Sequence, residues 1–387
     1  MTVRTPVYLD HHATTPLDSR VLEAMMPVLR ERFGNPASVS HAFGWTAAKL
    51  VEEARAHVAA LLGCRPDEIV FTSGATESCN LALRGVADLY ERPRHMVTSV
   101  LEHEAVDRPL ADLERRGWRV TRVPCRADGI IDPVDIAAAL CDDTVLVSLI
   151  AAQNEIGTIQ SWGEVASSCS GRGVLFHTDA AQAVGRIPLD VTADGIDLLG
   201  FSAHKLYGPK GVGALFVRRG RSGVRLVAQM TGGGQERGLR SGTLNVPGIV
   251  GMGEACRLAL LEREERAEHL RRLAGELYAA IADGVPDVRL NGAAQPRLPG
   301  SLNLSFPGLE AAGLIRELSV LALSTGSACG SGRPGPSPAL LALGLDEREA
   351  GAGLRIGLGK DTTDEEASFA AARIVAAVCK LRSERLG

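Results

Sequence analysis

Short apolar runs alternate with amphipathic stretches along much of this chain, predicting an α/β fold with a mainly parallel sheet covered by helices on both faces. Three observations carry the prediction. Runs rich in Val, Ile, Leu and Phe recur between residues 69 and 217, and the segments between them read at helical spacing. Several runs break off into small and polar residues, as strands do at the carboxyl edge where open α/β sheets bind ligands. The 387 residues, 45% of them hydrophobic, suffice for one large domain and a smaller one.

Taken in order, Tyr8-Leu9 is a short apolar start that gives way to a polar knot, Asp10-His11-His12-Ala13-Thr14-Thr15. Pro16 precedes a helical pattern with Val21, Leu22, Met25, Met26 and Leu29 at helix spacing. Phe33 to Ser38 is a loop by composition, and Trp45 to Leu62 a second amphipathic helix closed by Gly63. Ile69–Thr72 reads as a strand, followed by a helix-compatible stretch from Cys79 to Leu89. Further strands are expected at His95–Val100, Trp118–Val123, Val145–Ala151, Val174–Thr178, Ile196–Phe201 and Gly213–Val217, with helices near 105–116, 133–140 and 162–171. Arg218 to Gly242 is rich in Gly and Arg without a hydrophobic period, which suits a functional loop. A long helix from about Pro247 to Gly284 leads into the smaller domain. Its strands are expected at Val288–Leu290, Ser301–Phe306, Ala322–Ser324 and Leu354–Gly357, with a closing helix over Asp364–Leu381.

The formal net charge of −4 offers no basic stripe for nucleic acid. No apolar segment approaches membrane-spanning length, and Met1 to Asp10 has no signal-peptide hydrophobic region, so a cytoplasmic protein is expected. Eight cysteines are scattered without a Cys-x-x-Cys pair, a usage that fits reduced thiols better than disulfides or a zinc site.

Six constellations carry chemistry. Phe201-Ser202-Ala203-His204-Lys205 ends an apolar run in a glycine-rich turn, a rigid setting that frees a lysine amine for Schiff-base chemistry. Thr72-Ser73-Gly74-Ala75-Thr76 joins a strand to a helix start, whose N–H groups and Thr76 hydroxyl suit an anion such as phosphate; an N-cap without ligand is the plainer alternative. His177-Thr178-Asp179-Ala180-Ala181-Gln182 puts a carboxylate at a strand end, where a protonated ring nitrogen would pair with it and Gln182 could bond a ring hydroxyl. His103, just past another strand end, could stack on a planar cofactor or simply cap a helix. Finally, Cys329 lies among Gly and Ser in 324–332, the composition of a mobile, exposed loop with a reactive thiol, while Arg355 inside an apolar strand calls for a carboxylate, either a substrate's or an internal partner's.

In this order, together with Asn154-Glu155-Ile156-Gly157-Thr158, these motifs resemble the cysteine desulfurases (NifS/IscS-like), pyridoxal 5'-phosphate (PLP) enzymes of the class V aminotransferase family, over essentially the whole chain. The resemblance implies a type I PLP-dependent transferase fold: a large PLP-binding domain over 15–257 with a seven-stranded sheet, and a small α+β domain from 1–14 and 258–387 that carries the cysteine loop at about 324–336. It implies that Lys205 holds the PLP and moves the substrate α-proton, and that Asp179 pairs with the pyridinium nitrogen. Gln182 would meet the phenolic oxygen and His103 stack over the ring. Ala75, Thr76, Ser202 and His204 would hold the phosphate, with Thr243 reaching the phosphate of the neighbouring subunit in a homodimer. Asn154 and Arg355 would fix the carboxylate of L-cysteine. Cys329 would attack its sulfur, become a persulfide and leave L-alanine. No metal is implied at the PLP site, although Cys329 could transiently ligate a nascent iron–sulfur cluster.

The chain departs from the family pattern at Cys79 and Gln153, where asparagine is common, and in Gly330 to Pro336 after the cysteine. A selenocysteine lyase or another class V PLP enzyme is the nearest alternative, and a non-catalytic scaffold of the same fold an alternative of another kind. Implied acceptors of the sulfur are an iron–sulfur scaffold, a tRNA-thiolating enzyme or a DNA phosphorothioation partner, with no direct nucleic-acid contact.

Overall fold

The computed structural model describes residues 3–220, 223–325 and 335–386. In chain order its strands are β1 (Val7–Tyr8), β2 (Ile69–Thr72), β3 (His95–Ser99), β4 (Arg119–Val123), β5 (Thr144–Ser148) and β6 (Leu175–Asp179). They continue as β7 (Leu198–Ser202), β8 (Gly213–Val217), β9 (Arg289–Leu290), β10 (Ser301–Ser305), β11 (Leu321–Ala322) and β12 (Gly353–Gly357). The principal helices are α1 (Ser19–Arg30), α2 (Ala42–Leu62), α3 (Ala75–Ala87), α4 (Glu104–Arg115), α5 (Pro133–Ala139), α6 (Trp162–Ser170) and α7 (Val246–Gly284). Three short ones, α8 (Ala311–Glu317), α9 (Pro338–Ala342) and α10 (Glu347–Ala350), precede the closing α11 (Asp364–Leu386).

Seven strands form one sheet in the order β2-β8-β7-β6-β5-β3-β4. Pairs β3–β4, β3–β5, β5–β6 and β6–β7 are parallel, whereas β8 runs antiparallel to both β2 and β7. Successive residues feed opposite faces: Phe71, Val97, Val147, Leu199 and Phe216 enter one apolar core, and Val70, Met96, Leu146, Leu198 and Leu215 the other. Both faces are covered, so the inner strands read as unbroken apolar runs and not as alternating ones. The edge strand β4 instead carries Arg119, Thr121 and Arg122, which discourage pairing with another chain.

A second sheet, β12-β10-β9, is antiparallel, and β1 pairs parallel to β11. These strands pack with α7 and α11 around Leu9, Leu277, Ile281, Leu304, Phe306, Leu354 and Ile374. Helix α7, about 58 Å long for its 39 residues, links the two regions. Met252, Cys256 and Ala259 lie in the core of the large sheet, and Leu273, Leu277 and Ile281 in that of the small one.

Helix α1 forms where its spacing predicts, with Val21 and Val28 buried, while Leu22 and Leu29 are 44% and 53% exposed. Helices α8, α9 and α10 were not anticipated, because four to seven residues are too few to show a period. Their caps were the readable signal: Ser337 before Pro338, and Asp346 with Glu349 as a capping box.

Candidate active site

The carboxyl ends of β2, β3, β5, β6 and β7 converge on one cavity of about 220 Å³, closed from the other side by residues 12–13 and by Arg355 of β12. Of the twelve residues singled out from the sequence, ten line it: Ala75, Thr76, His103, Asn154, Asp179, Gln182, Ser202, His204, Lys205 and Arg355. Thr243 does not; it is exposed, just before α7. Cys329 lies outside the described residues.

Lys205 sits in the turn of a β7–β8 hairpin whose last pair is Ser202 with Gly213. A Cβ on Gly213 would come within 2.5 Å of both Gly74 Cα and Phe201 O, so only glycine lets β8 pass this close to the start of α3. The Lys205 Nζ donates to the His12 carbonyl at 2.5 Å and the Ala13 carbonyl at 2.8 Å. The strap carrying those carbonyls is itself anchored: Thr15 Oγ1 donates to His204 O, and Arg186 donates to both His11 O and Lys205 O. Burial and the nearby Lys205, Lys210 and Arg186 push His204 down to about 4, so its ring is neutral near pH 7.

Asp179 closes β6 almost fully buried, and its Oδ1 accepts the Ala181 N–H at 2.9 Å. Gln182 donates through Nε2 to His12 O, while its Oε1 is buried without a hydrogen-bond partner among the described residues. His103 is the N-cap of α4, and its Nδ1 accepts the Ala105 N–H at 3.0 Å. At the start of α3, Ala75 N–H donates to Ser202 Oγ at 2.7 Å. Arg355, 1% exposed, donates to Asp10 at 2.8 Å and to Asn154 O at 3.3 Å, so the internal ion pair and the cavity-facing arginine coexist.

Sequence reasoning missed the part played by His12 and Ala13, whose carbonyls hold Lys205, and the wall residues Ala105, Ile150, Ala152 and Ala181. The polar knot after Leu9 was the available signal for the first two. Burial, with Arg186, Arg355, Lys205 and His11 adding to it, holds the His12 ring well below the usual histidine range, and neither ring nitrogen has a partner among the described residues.

The residues present fit PLP. A helix start beside the Ser202 hydroxyl suits its phosphate. The buried Asp179 suits a protonated ring nitrogen, and the unpaired Gln182 Oε1 a ring hydroxyl. Alanines at 75, 105, 152 and 181 leave room for a flat ring, and Lys205 supplies the amine.

Fold and site together define a class of PLP enzyme, and residues 7–368 match the family model described as aminotransferase class-V. The chain is 51% identical over 383 residues to the cysteine desulfurase IscS of Neisseria meningitidis serogroup C, covering 99% of this chain and 94% of that one. Among solved structures, a NifS-like protein superposes with a TM-score of 0.90 at 38% identity, over 96% of this chain and 99% of that one. A structure described as SspA in complex with cysteine superposes with a TM-score of 0.81 at 35% identity, over 92% and 100% of the two chains. The chain therefore belongs to the class-V aminotransferase family, as a NifS/IscS-like, PLP-dependent cysteine desulfurase acting on L-cysteine and serving sulfur-acceptor proteins. No helix among the described residues is long and apolar enough to cross a membrane.

Proposed function

We propose that the cavity runs the desulfuration with a specific division of labour, and that the convergence of Lys205, Asp179 and Arg355 on one pocket is the observation that carries the reading. When bound, PLP supplies an electron sink for the carbon next to the substrate amine. Asp179 would pair with the protonated ring nitrogen, Gln182 with the ring hydroxyl, and His103 would lie against the ring. Ala75, Thr76, Ser202 and His204 would hold the phosphate. Lys205 would hold the cofactor and move the substrate α-proton. Asn154 and Arg355 fix the carboxylate, Arg355 by a planar fork suited to it. The Cys329 thiolate attacks the substrate sulfur: a new S–S bond forms, the substrate Cβ–S bond breaks, and its electron pair stays with Cβ, which takes a proton to become alanine.

The working unit is proposed as a homodimer, with residues 15–257 as the PLP-binding domain and the remainder as the small domain. Phe33, Val39, Phe43 and Trp45 are 54–83% exposed, joining Leu22 and Leu29 as uncovered apolar surface. A groove of about 300 Å³ places residues 35–37 beside 235–237 and Leu244, next to Thr243. A second copy seated there would cover the apolar side chains and let Thr243 reach the partner's phosphate. A thiol nucleophile calls for a reducing compartment, which supports a cytoplasmic location, and an iron–sulfur scaffold or a thiolation enzyme is the proposed acceptor. Titrating apoprotein with PLP tests the assignment: Thr243→Ala should weaken binding by about tenfold in the dimer. Equal affinity would remove Thr243 from the phosphate site.

A further inference from the structure

We infer that Glu102 is a positioning residue for this active site, working as a neutral acid that ties the ends of β3 and β5 together beside the cavity. Its Oε1 accepts the Ser99 hydroxyl at 2.7 Å, from the last residue of β3, and the Ile150 N–H at 2.9 Å, just past β5. Ser99 Oγ in turn accepts the Leu101 N–H, which fixes the turn that leads into α4. Both lone pairs of Oε1 are thereby used, while Oε2 is buried and meets no donor among the described residues. An ionised carboxylate would leave one of its oxygens without a donor in an apolar setting, a heavier cost than an unpaired acid hydroxyl.

The surroundings favour the same state. Burial pushes Glu102 up to about 8, outweighing the lowering by the Ser99 and Ile150 donors, and the Asp179 carboxylate at the end of β6 adds to the rise. Cys79 of α3 also faces it, and burial holds that thiol well above its usual range, so it is uncharged. Neutral Glu102 thus spares Asp179 a second negative charge nearby. Two cavity walls hang on this one carboxyl, because the Ile150 N–H donates to it directly and His103 follows Glu102 in the chain. The inference rests on reading the cavity as the PLP site.

The test compares wild-type holoenzyme with Glu102→Gln and Glu102→Ala. The amide of glutamine keeps an oxygen for Ser99 and Ile150 without a charge, so kcat/KM should stay within about twofold, whereas alanine should lower it by about tenfold or more through misplacement of the walls. Melting supplies a readout independent of turnover. A carboxyl whose folded pKa is raised to about 8 stabilises the fold at low pH and loses that contribution as pH climbs from about 4.5 to about 8. The Tm of Glu102→Gln should therefore gain on wild type steadily over this range and level off above it. A gap that does not change with pH would overturn the neutral acid, as would a glutamine variant as impaired as alanine. An alanine variant with wild-type kcat and KM would overturn the positioning role. A protein that binds no PLP while showing the expected melting behaviour would overturn the cofactor reading of the cavity and leave the neutral state of Glu102 standing.

Discussion

Replacing Asp10 by Asn separates what Arg355 does for the fold from the carboxylate-binding role proposed for it. Arg355 is 1% exposed, and its guanidinium donates to the Asp10 carboxylate at 2.8 Å; Asp10 itself keeps some solvent contact. Asn at position 10 preserves shape and one acceptor but removes a counter-charge from a buried cation. A hydrogen bond to a charged group contributes about 1.5–3 kcal/mol, and only part of it is retained by an amide oxygen. A loss near 1.5 kcal/mol is a reasonable expectation, visible as a fall of about 2 °C in Tm. The substrate carboxylate would then meet an arginine that no longer has to be shared with Asp10. L-Alanine, the product, should bind the variant about tenfold more tightly, since 1.4 kcal/mol corresponds to a factor of ten, and should restore most of the lost Tm. Thermal melting with and without L-alanine reads both effects. Tm unchanged without ligand, or weaker L-alanine binding in the variant, would refute the idea that Asp10 and the substrate carboxylate compete for Arg355.

Gly213→Ala should cost about 1–3 kcal/mol and weaken PLP retention, because the new methyl would strike Gly74 and the Phe201 carbonyl at 2.5 Å; denaturant midpoints and cofactor release on gel filtration report on it. His11, His177 and His204 are held to about 4, 3 and 4, each chiefly by burial. These lowered values mean that the unfolded chain binds more protons below about pH 6.5, so stability should decline as pH falls from there towards 4. His177→Gln should flatten part of that decline in urea midpoints taken across the range. Removing the carboxylate from the buried Arg55–Glu236 pair, 2.8 Å apart, should cost about 3–5 kcal/mol in Glu236→Ala, read from urea unfolding, since Arg55 would keep its charge without its main partner.

Much of the sheet was legible because inner strands buried on both faces are nearly pure apolar runs, and because glycine and proline punctuate their ends. The same breaks located residues that line the cavity: Lys205, Asp179 and His103 each stand where an apolar run stops. Elements fixed by long-range packing were not legible. Nothing local says that the His12 and Ala13 carbonyls receive the Lys205 amine, since that contact joins residues 192–193 positions apart. Helix α1 was legible from its apolar spacing, but the spacing does not say that Leu22 and Leu29 stay exposed while Val21 and Val28 are buried. Glu102 looked like one acid among many until its two tethers appeared.

The most direct test of the central claim measures sulfide and alanine released from L-cysteine in the presence of a thiol reductant, by wild type, Lys205→Ala and Cys329→Ala. The assigned roles predict equimolar products from wild type and loss of both in each variant, with a persulfide recoverable on Cys329 of the wild-type protein alone. Full turnover in Cys329→Ala, with no persulfide, would contradict them and point to a lyase that releases the chalcogen directly.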